Sequence, residues 1–349
     1  MRSKTVVDMK RHTILGAVLL GAALFASIEP ALAGGRFWTL PMPGIRAIEA
    51  LPDGTPVVVD GVGGRHRVRL HAGQIVLQPA GPAVDLSAPP QALPDAVMVP
   101  GAHGLWAWLD QPATRYEHGV LGDAIEAGGL SVGYPDGSRK SLTLPKDRVF
   151  EDRAPRFVDI DGDGRDEILT VTSYLDRGAA LTLVDPGSAG GMSPRVVAEA
   201  APIGTPNRWL NPIGAGDIDD DGRIEMLAVI TPHIGGTLTA YEWHGDALSI
   251  DHELNGFSNH AIGSRELGLS GMADLDTPAD GIAEVIVPDQ ARRAMTVVRF
   301  TDTPRIVSKI NLSGRIVHRL VIYDLDGDQT PELIFGLDDG SLVVWKPGL

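Results

Sequence analysis

Apolar and polar positions alternate in short bursts along most of the chain, and from about residue 150 the bursts recur in a fixed order. Arg156–Val158, Ile168–Thr172 and Ala180–Val184 are apolar or β-branched runs of three to five residues, bounded by Asp-Gly or Asp-Pro-Gly. Runs this short, so bounded, predict strands and not helices. The series returns as Ile213–Gly216, Met226–Thr231 and Leu238–Trp243, then as Gly271–Ala273, Val285–Val287 and Met295–Phe300. It returns once more as Leu320–Tyr323, Leu333–Phe335 and Ser341–Trp345. Three to four short strands in every ~50 residues is the pattern of a propeller blade. Residues 34–150 keep the turns and the alternation in Leu51–Asp60, Leu93–Pro100 and Gly129–Gly137, and the proline-rich Pro79–Pro94 reads as a loop between blades. At about 45 residues per repeat the chain beyond residue 33 holds seven blades, so a single all-β, seven-bladed β-propeller over residues 34–349 is expected. The last repeat is one strand short. Arg36-Phe-Trp-Thr-Leu40 alternates like a strand and is expected to complete it as the outer strand, leaving no blade edge unpaired.

The first 33 residues read as an export leader. Arg2, Lys4, Lys10 and Arg11 precede a short apolar stretch, Ile14–Ile28, and Ala31-Leu32-Ala33 is a small-residue cleavage signal. The stretch is shorter than the ~20 residues a membrane span requires, so a periplasmic or extracellular protein, and not an integral membrane protein after cleavage, is expected. Cleavage would take the formal charge from −15 to −17, since it removes four basic and two acidic residues. A surface this acidic disfavours nucleic acid and anionic membranes. With 42 glycines and 26 prolines, helices are disfavoured throughout. With no cysteine, disulfides, thiolate metal sites and thiol nucleophiles are excluded, and an exported chain needs another staple.

That staple is legible as four acidic loops, each between two predicted strands. They are Asp159-Ile-Asp161-Gly-Asp163-Gly-Arg165-Asp-Glu167, Asp217-Ile-Asp219-Asp-Asp221-Gly-Arg223-Ile-Glu225, Asp274-Leu-Asp276 with Asp280-Gly-Ile-Ala-Glu284, and Asp324-Leu-Asp326-Gly-Asp328-Gln-Thr330-Pro-Glu332. Their first aspartates are 58, 57 and 50 residues apart, the mark of a repeat. Carboxylates at positions 1, 3, 5 and 9, with the carbonyl at position 7 (Arg165, Arg223, Thr330), suit a hard cation with six to eight oxygen ligands, and Ca2+ is the expected occupant. An EF-hand is excluded. Position 12 is Thr170 or Ala228 where a bidentate Glu is needed, and a strand follows where a helix is needed. The third loop carries a two-residue Pro-Ala insertion, and Gln329 replaces the glycine at position 6 of the fourth.

The segments VDIDGDGRDEILTV, GDIDDDGRIEMLAVI and YDLDGDQTPELIFG resemble FG-GAP/VCBS repeats, the units of integrin-alpha-like propellers, over roughly residues 150–349. The resemblance implies calcium in these loops and a recognition or scaffold role, with occasional enzymes. Enzyme signals in the residues themselves are sparse. Gly129-Leu-Ser131-Val-Gly133 has the spacing of a hydrolase elbow, yet a hairpin turn and not a helix follows. Nine positions before the first Asp of loops two, three and four stand Arg208, Arg265 and Arg315, with Trp209 and His260 close by. In a propeller these positions share one face, so the arginines are expected either to pair with neighbouring blades or to converge on an anionic group. A binding or scaffold module for a protein or glycan partner is the expectation; the alternative is a polysaccharide-active hydrolase or lyase with a site on the axial face.

Overall fold

The computed structural model describes residues 27–28, 35–301 and 303–349. The leader expected over residues 1–33 lies outside the described residues, except that Ser27–Ile28 pairs with Thr39 and Trp38. Among the described residues the only helical turn is Ala102–Gly104, and all strands but Ser27–Ile28 and Arg148–Phe150 group into six four-stranded antiparallel units. Blade 1 is Ala47–Ala50, Pro56–Val59, Arg65–His71 and Gln74–Pro79. Blade 2 is Val99–Pro100, Trp106–Ala113, Glu126–Gly133 and Arg139–Thr143. Blade 3 is Arg156–Val158, Glu167–Tyr174, Gly178–Asp185 and Arg195–Ala200. Blade 4 is Leu210–Gly216, Glu225–Ile230, Thr237–His244 and Ala247–Asn255. Blade 5 is Gly271–Ala273, Glu284–Pro288, Ala294–Arg299 and Arg305–Asn311. Blade 6 is Ile316–Tyr323, Glu332–Leu337, Ser341–Pro347 and, from the other end of the chain, Gly35–Pro41.

The first strands of blades 2 to 6, and then of blade 1, lie side by side in that order. This is a β-propeller fold, and six four-stranded blades are distinguished among the described residues, where division by repeat length gave seven. The division spread long loops over the repeats: residues 80–98 before blade 2, 114–125 within it and 256–270 before blade 5 carry no named strand. The outer strand of blade 6 is the expected one. Gly35–Pro41 pairs over its whole length with Ser341–Pro347, which sets Trp38 against Val344 and buries it to 2% exposure.

The core lies between the sheets. Apolar clusters fill the gaps between blades 2 and 3 (Trp108, Leu130, Phe150, Ile168), 3 and 4 (Leu169, Leu181, Met226, Tyr241), and 4 and 5 (Leu227, Phe257, Val285, Phe300). Two more fill the gaps between blades 5 and 6 (Ile286, Met295, Phe335, Trp345) and 6 and 1 (Trp38, Ile48, Val58, Ile334). Each such side chain contributes roughly 1.5–3 kcal/mol by leaving water. Blades 2 to 4 are further joined by backbone hydrogen bonds. Arg148–Phe150 bridges Glu126–Gly133 and Glu167–Tyr174, and Glu199–Ala200 runs parallel to Ala247–Leu248. In blades 3 to 6 the hairpin from first to second strand is an acidic loop, so all four loops lie at one end of the ring, the loop end. The segments leading into the first strands lie at the other, the linker end.

Candidate metal loops and an arginine-lined axial cavity

The four acidic loops fold alike. The residue at the glycine position has positive φ in all of them: Gly164 +83°, Gly222 +81°, Gly281 +90° and Gln329 +74°. Gln329 therefore takes the left-handed conformation that glycine takes elsewhere, a strained choice for a side-chain-bearing residue. Each of these residues donates its N–H to the first aspartate, to Asp159 at 3.0 Å, Asp217 at 3.1 Å, Asp274 at 2.6 Å and Asp324 at 2.9 Å. Each position-nine glutamate accepts the N–H of the residue after the first aspartate: Ile160 to Glu167 at 3.2 Å, Ile218 to Glu225 at 3.1 Å, Leu275 to Glu284 at 2.9 Å and Leu325 to Glu332 at 2.7 Å. The insertion in the third loop leaves both bonds intact.

In the first two loops the carboxylates converge. Oxygens of Asp159, Asp161 and Glu167 lie within 4.8 Å of one another, as do those of Asp217, Asp219 and Glu225, and a third trio joins Asp221, Glu225 and Glu242. Asp163 turns outward to Arg165, 2.6 Å away. Asp159 Oδ1 and Glu225 Oε1 are buried with no hydrogen-bond partner, as is Glu332 Oε1 of the fourth loop, which has an ammonium 3.0 Å away. Burial, and then the neighbouring aspartates, pushes the Glu167 and Glu225 carboxyls up to about 7. Partnerless buried oxygens amid like charge are what a bound cation would satisfy, so these clusters can hold a metal ion.

The other two loops contain a cation of their own. Arg299 Nη2 lies 2.7 Å from Asp276 and 2.6 Å from Glu284. Lys346 Nζ lies 3.1 Å from Asp326, 2.7 Å from Asp328 and 3.0 Å from Glu332. Thr330, expected as a carbonyl ligand, is buried with its hydroxyl 2.9 Å from that of Thr277. Asp274, Asp276 and Asp280 still lie within 4.8 Å of one another.

Towards the linker end, the first strands of blades 3 to 6 and the segments before them enclose an axial cavity of about 270 Å3, whose wall includes Val97, Arg153, Arg156, Ile213, Arg265 and Arg319. Each arginine has a carboxylate: Arg153 has Asp95 at 3.0 Å, Arg156 has the buried Asp152 at 2.7 Å, Arg319 has Glu266 at 3.6 Å, and Arg265 has both Asp95 and Asp123. Of the arginines singled out by spacing, only Arg265 lines this cavity. Arg208 turns to the carbonyl of Asn207 at 3.1 Å, and Arg315 is exposed, its backbone N–H on Asp338. Trp209 and His260 do meet, with ring centroids 4.8 Å apart, but as buried packing partners. The Trp209 indole donates to the carbonyl of Glu151 at 2.9 Å, and His260 shares a hydrogen bond with His233 at 2.8 Å. Burial holds both histidines at about 4.

Sequence reading missed two buried glutamates of blade 2 and the segment after it. Glu151 is fully buried and pushed up by that burial; it is hydrogen-bonded to His118 Nδ1 at 2.6 Å and accepts from Ser173. Glu126, 2% exposed, is pushed up to about 9 by burial and then by Glu151, and so stays neutral. A glutamate between Ile125 and Ala127 in a strand was the available signal for Glu126. Nothing local marks Glu151, whose partner is 33 residues away. Ser131 is buried within blade 2 and donates to Asp110 at 2.5 Å, so it presents no nucleophile to solvent.

No family model matches the chain, and no curated protein matches it. Among solved structures it is similar to BBS1N, crystallised in complex with ARL6DN, at 11% identity and TM-score 0.39, covering 89% of this chain and 95% of that one. It is similar to a catalytically inactive virginiamycin B lyase from Staphylococcus aureus with quinupristin, at 10% identity and TM-score 0.37, covering 90% and 99%. It is also similar to the exotype rhamnogalacturonan lyase YesX, at 14% identity and TM-score 0.41, covering 86% of this chain and 49% of that one. At these values the likeness carries no argument; the fold is defined by the strand pairing. No helix among the described residues is long and apolar enough to cross a membrane.

Proposed function

We propose that this chain is an exported propeller of the FG-GAP/VCBS type that binds Ca2+ in its acidic loops and serves as a binding module for a glycan or protein partner. One observation carries this reading. A cavity of about 640 Å3 beside the first acidic loop has Asp161 and Glu167 in its wall, together with Tyr134 and Trp243. That volume suits a small organic ligand, and concave sites that join aromatic faces to a few charged groups are the usual form of such sites. The Tyr134 hydroxyl is tied to the carbonyl of Pro186 and the Trp243 indole to that of Gly245, which fixes both rings. Asp159, Asp161 and Glu167 would hold a cation in this wall, and its charge would fix the loop that shapes the cavity.

The test is a glycan and partner screen run with calcium and with chelator. Binding that needs calcium and is lost in Trp243→Ala at unchanged melting temperature is expected. Partners captured equally well by Trp243→Ala would move the site elsewhere. The alternative, a hydrolase or lyase on the axial face, draws on the neutral Glu126 beside the His118–Glu151 pair. It requires turnover of a polysaccharide that Glu126→Gln abolishes.

A further inference from the structure

The second and third strands of blades 3 to 6 pair in matching register. Ile168 faces Val184, Met226 faces Tyr241, Val285 faces Val298 and Leu333 faces Trp345. One step further along each ladder, the position-nine glutamates align with their counterparts on the third strand. Counted on from those pairs, Glu167 corresponds to Asp185, Glu225 to Glu242, Glu284 to Arg299 and Glu332 to Lys346, and the last three pairs are in contact. The same structural place is thus acidic in blades 3 and 4 and basic in blades 5 and 6.

The consequence is visible in the contacts. Arg299 and Lys346 point into their loops, and their side chains are 23% and 13% exposed. The arginines beside the first two loops lie at the rim instead. Arg165 on Asp163 is 81% exposed, Arg223 on Glu242 62% and Arg195 on Asp185 52%, so water screens them. His252, 3.4 Å from Asp219, adds charge only when protonated. The orphan oxygen of the fully buried Glu225 persists despite these neighbours.

We propose that Arg299 and Lys346 are built-in counter-ions that take the place of a metal in the third and fourth loops, so that metal binding is confined to the first two loops, with two ions per chain. An ammonium held among three carboxylates and a guanidinium fork shared by two supply the positive charge that a divalent ion would otherwise bring, and Lys346 stands 3.0 Å from the otherwise unpartnered Glu332 Oε1. The confinement to two loops rests on the calcium reading above; the counter-ion role of Arg299 and Lys346 does not.

Calcium should be counted on the purified, leader-free chain after chelation and reloading, by elemental analysis and by titration calorimetry, with melting temperatures alongside. Two ions per wild-type chain are expected, with one left in Asp161→Ala and two retained in Asp326→Ala. Lys346→Met should melt several degrees lower without calcium, gain an ion and be restored by it. Four ions in wild type, or an ion lost in Asp326→Ala, would overturn the proposal even if Lys346→Met failed to fold. A wild type that binds none defeats the calcium reading instead. The counter-ion role is then decided by melting: a several-degree loss in Lys346→Met upholds it, and Lys346→Met and Arg299→Met both melting like wild type overturn it.

Discussion

The loop end and the linker end of this propeller both concentrate carboxylates, and they neutralise them in different ways. At the loop end the aspartates and glutamate of each loop come from one nine- to eleven-residue segment, joined in blade 4 by Glu242 of the third strand, and in blades 3 and 4 an acidic excess remains. At the linker end the groups come from distant parts of the chain. Arg265 reaches Asp123 across 142 positions, Arg153 reaches Asp95 across 58, and Glu151 meets His118 across 33. There the charge is settled inside the protein, by arginine forks, by a histidine and by keeping Glu126 protonated. A segment that gathers its own carboxylates leaves a place for an outside cation. A cluster assembled by the tertiary fold arrives with its partners and contributes rigidity.

The linker end should therefore respond most strongly to single substitutions and not at all to metal. Glu151→Ala leaves His118 Nδ1 and Ser173 without their buried acceptor, and breaking such a buried pair costs about 3–5 kcal/mol. Thermal melting should show the loss equally in calcium and in chelator. A Glu151→Ala protein that melted like wild type would mean that this end is as adaptable as the loop rim.

The second effect is one of pH. His233 and His260 ionise at about 4, against 6.5 for an ordinary histidine, because burial disfavours the charged ring and Arg292 lies near both. Between pH 6.5 and 4 the unfolded chain binds protons at these positions and the folded chain does not. Stability then falls as pH falls through that window, and is retained above it. Melting followed across this range should show the decline, and His233→Gln should flatten it. A slope unchanged in that variant would assign the acid sensitivity to carboxylates alone.

How much of this could be read beforehand follows the same division. The acidic loops were legible because their chemistry is contained in a short segment and repeats. The closing strand was legible too, since Arg36–Leu40 alternates and the last repeat lacks one strand; Phe37 and Trp38 do face Trp345 and Val344. Blade number was not legible. Loop length is set by what the loops pack against, and residues 80–98 are long without adding a blade. Equal spacing of Arg208, Arg265 and Arg315 left pairing and convergence both open; Arg265 pairs with Asp95 and Asp123, whereas Arg208 and Arg315 turn elsewhere, because side-chain direction in these segments differs from blade to blade. The counter-ions were present in the sequence, yet Lys346 and Arg299 show their role only once strand register sets them against Glu332 and Glu284.

At the loop end a single substitution should act through the metal. Asp161→Ala removes one of the three converging ligands of the first loop. A site held at 100 times its Kd adds about 2.7 kcal/mol to the folded state. The variant should fall short of wild type by about that amount in calcium and match it in chelator. Chelator should lower wild-type melting by several degrees, and calcium should restore it better than magnesium. Equal melting of wild type with and without chelator would remove the outside cation from the comparison.

The smallest effect is expected at Arg265, where the two ends differ least. Its side chain is 43% exposed, and two carboxylates, Asp95 and Asp123, already occupy its fork. A partly exposed ion pair of this kind contributes roughly 0–1 kcal/mol, so Arg265→Gln should lower the melting temperature slightly. Arg208→Gln and Arg315→Gln, whose side chains lie outside the axial cavity, should leave it unchanged. The comparison sharpens if affinity for anionic glycans is measured on the same proteins. A guanidinium engaged by two internal carboxylates has little left for an outside anion, so all three variants should bind as wild type does. Affinity lost in Arg265→Gln at unchanged stability would mean that ligand displaces Asp95 or Asp123 from the fork, and that the linker end is a recognition site whose internal ion pairs hold it closed until an anion arrives.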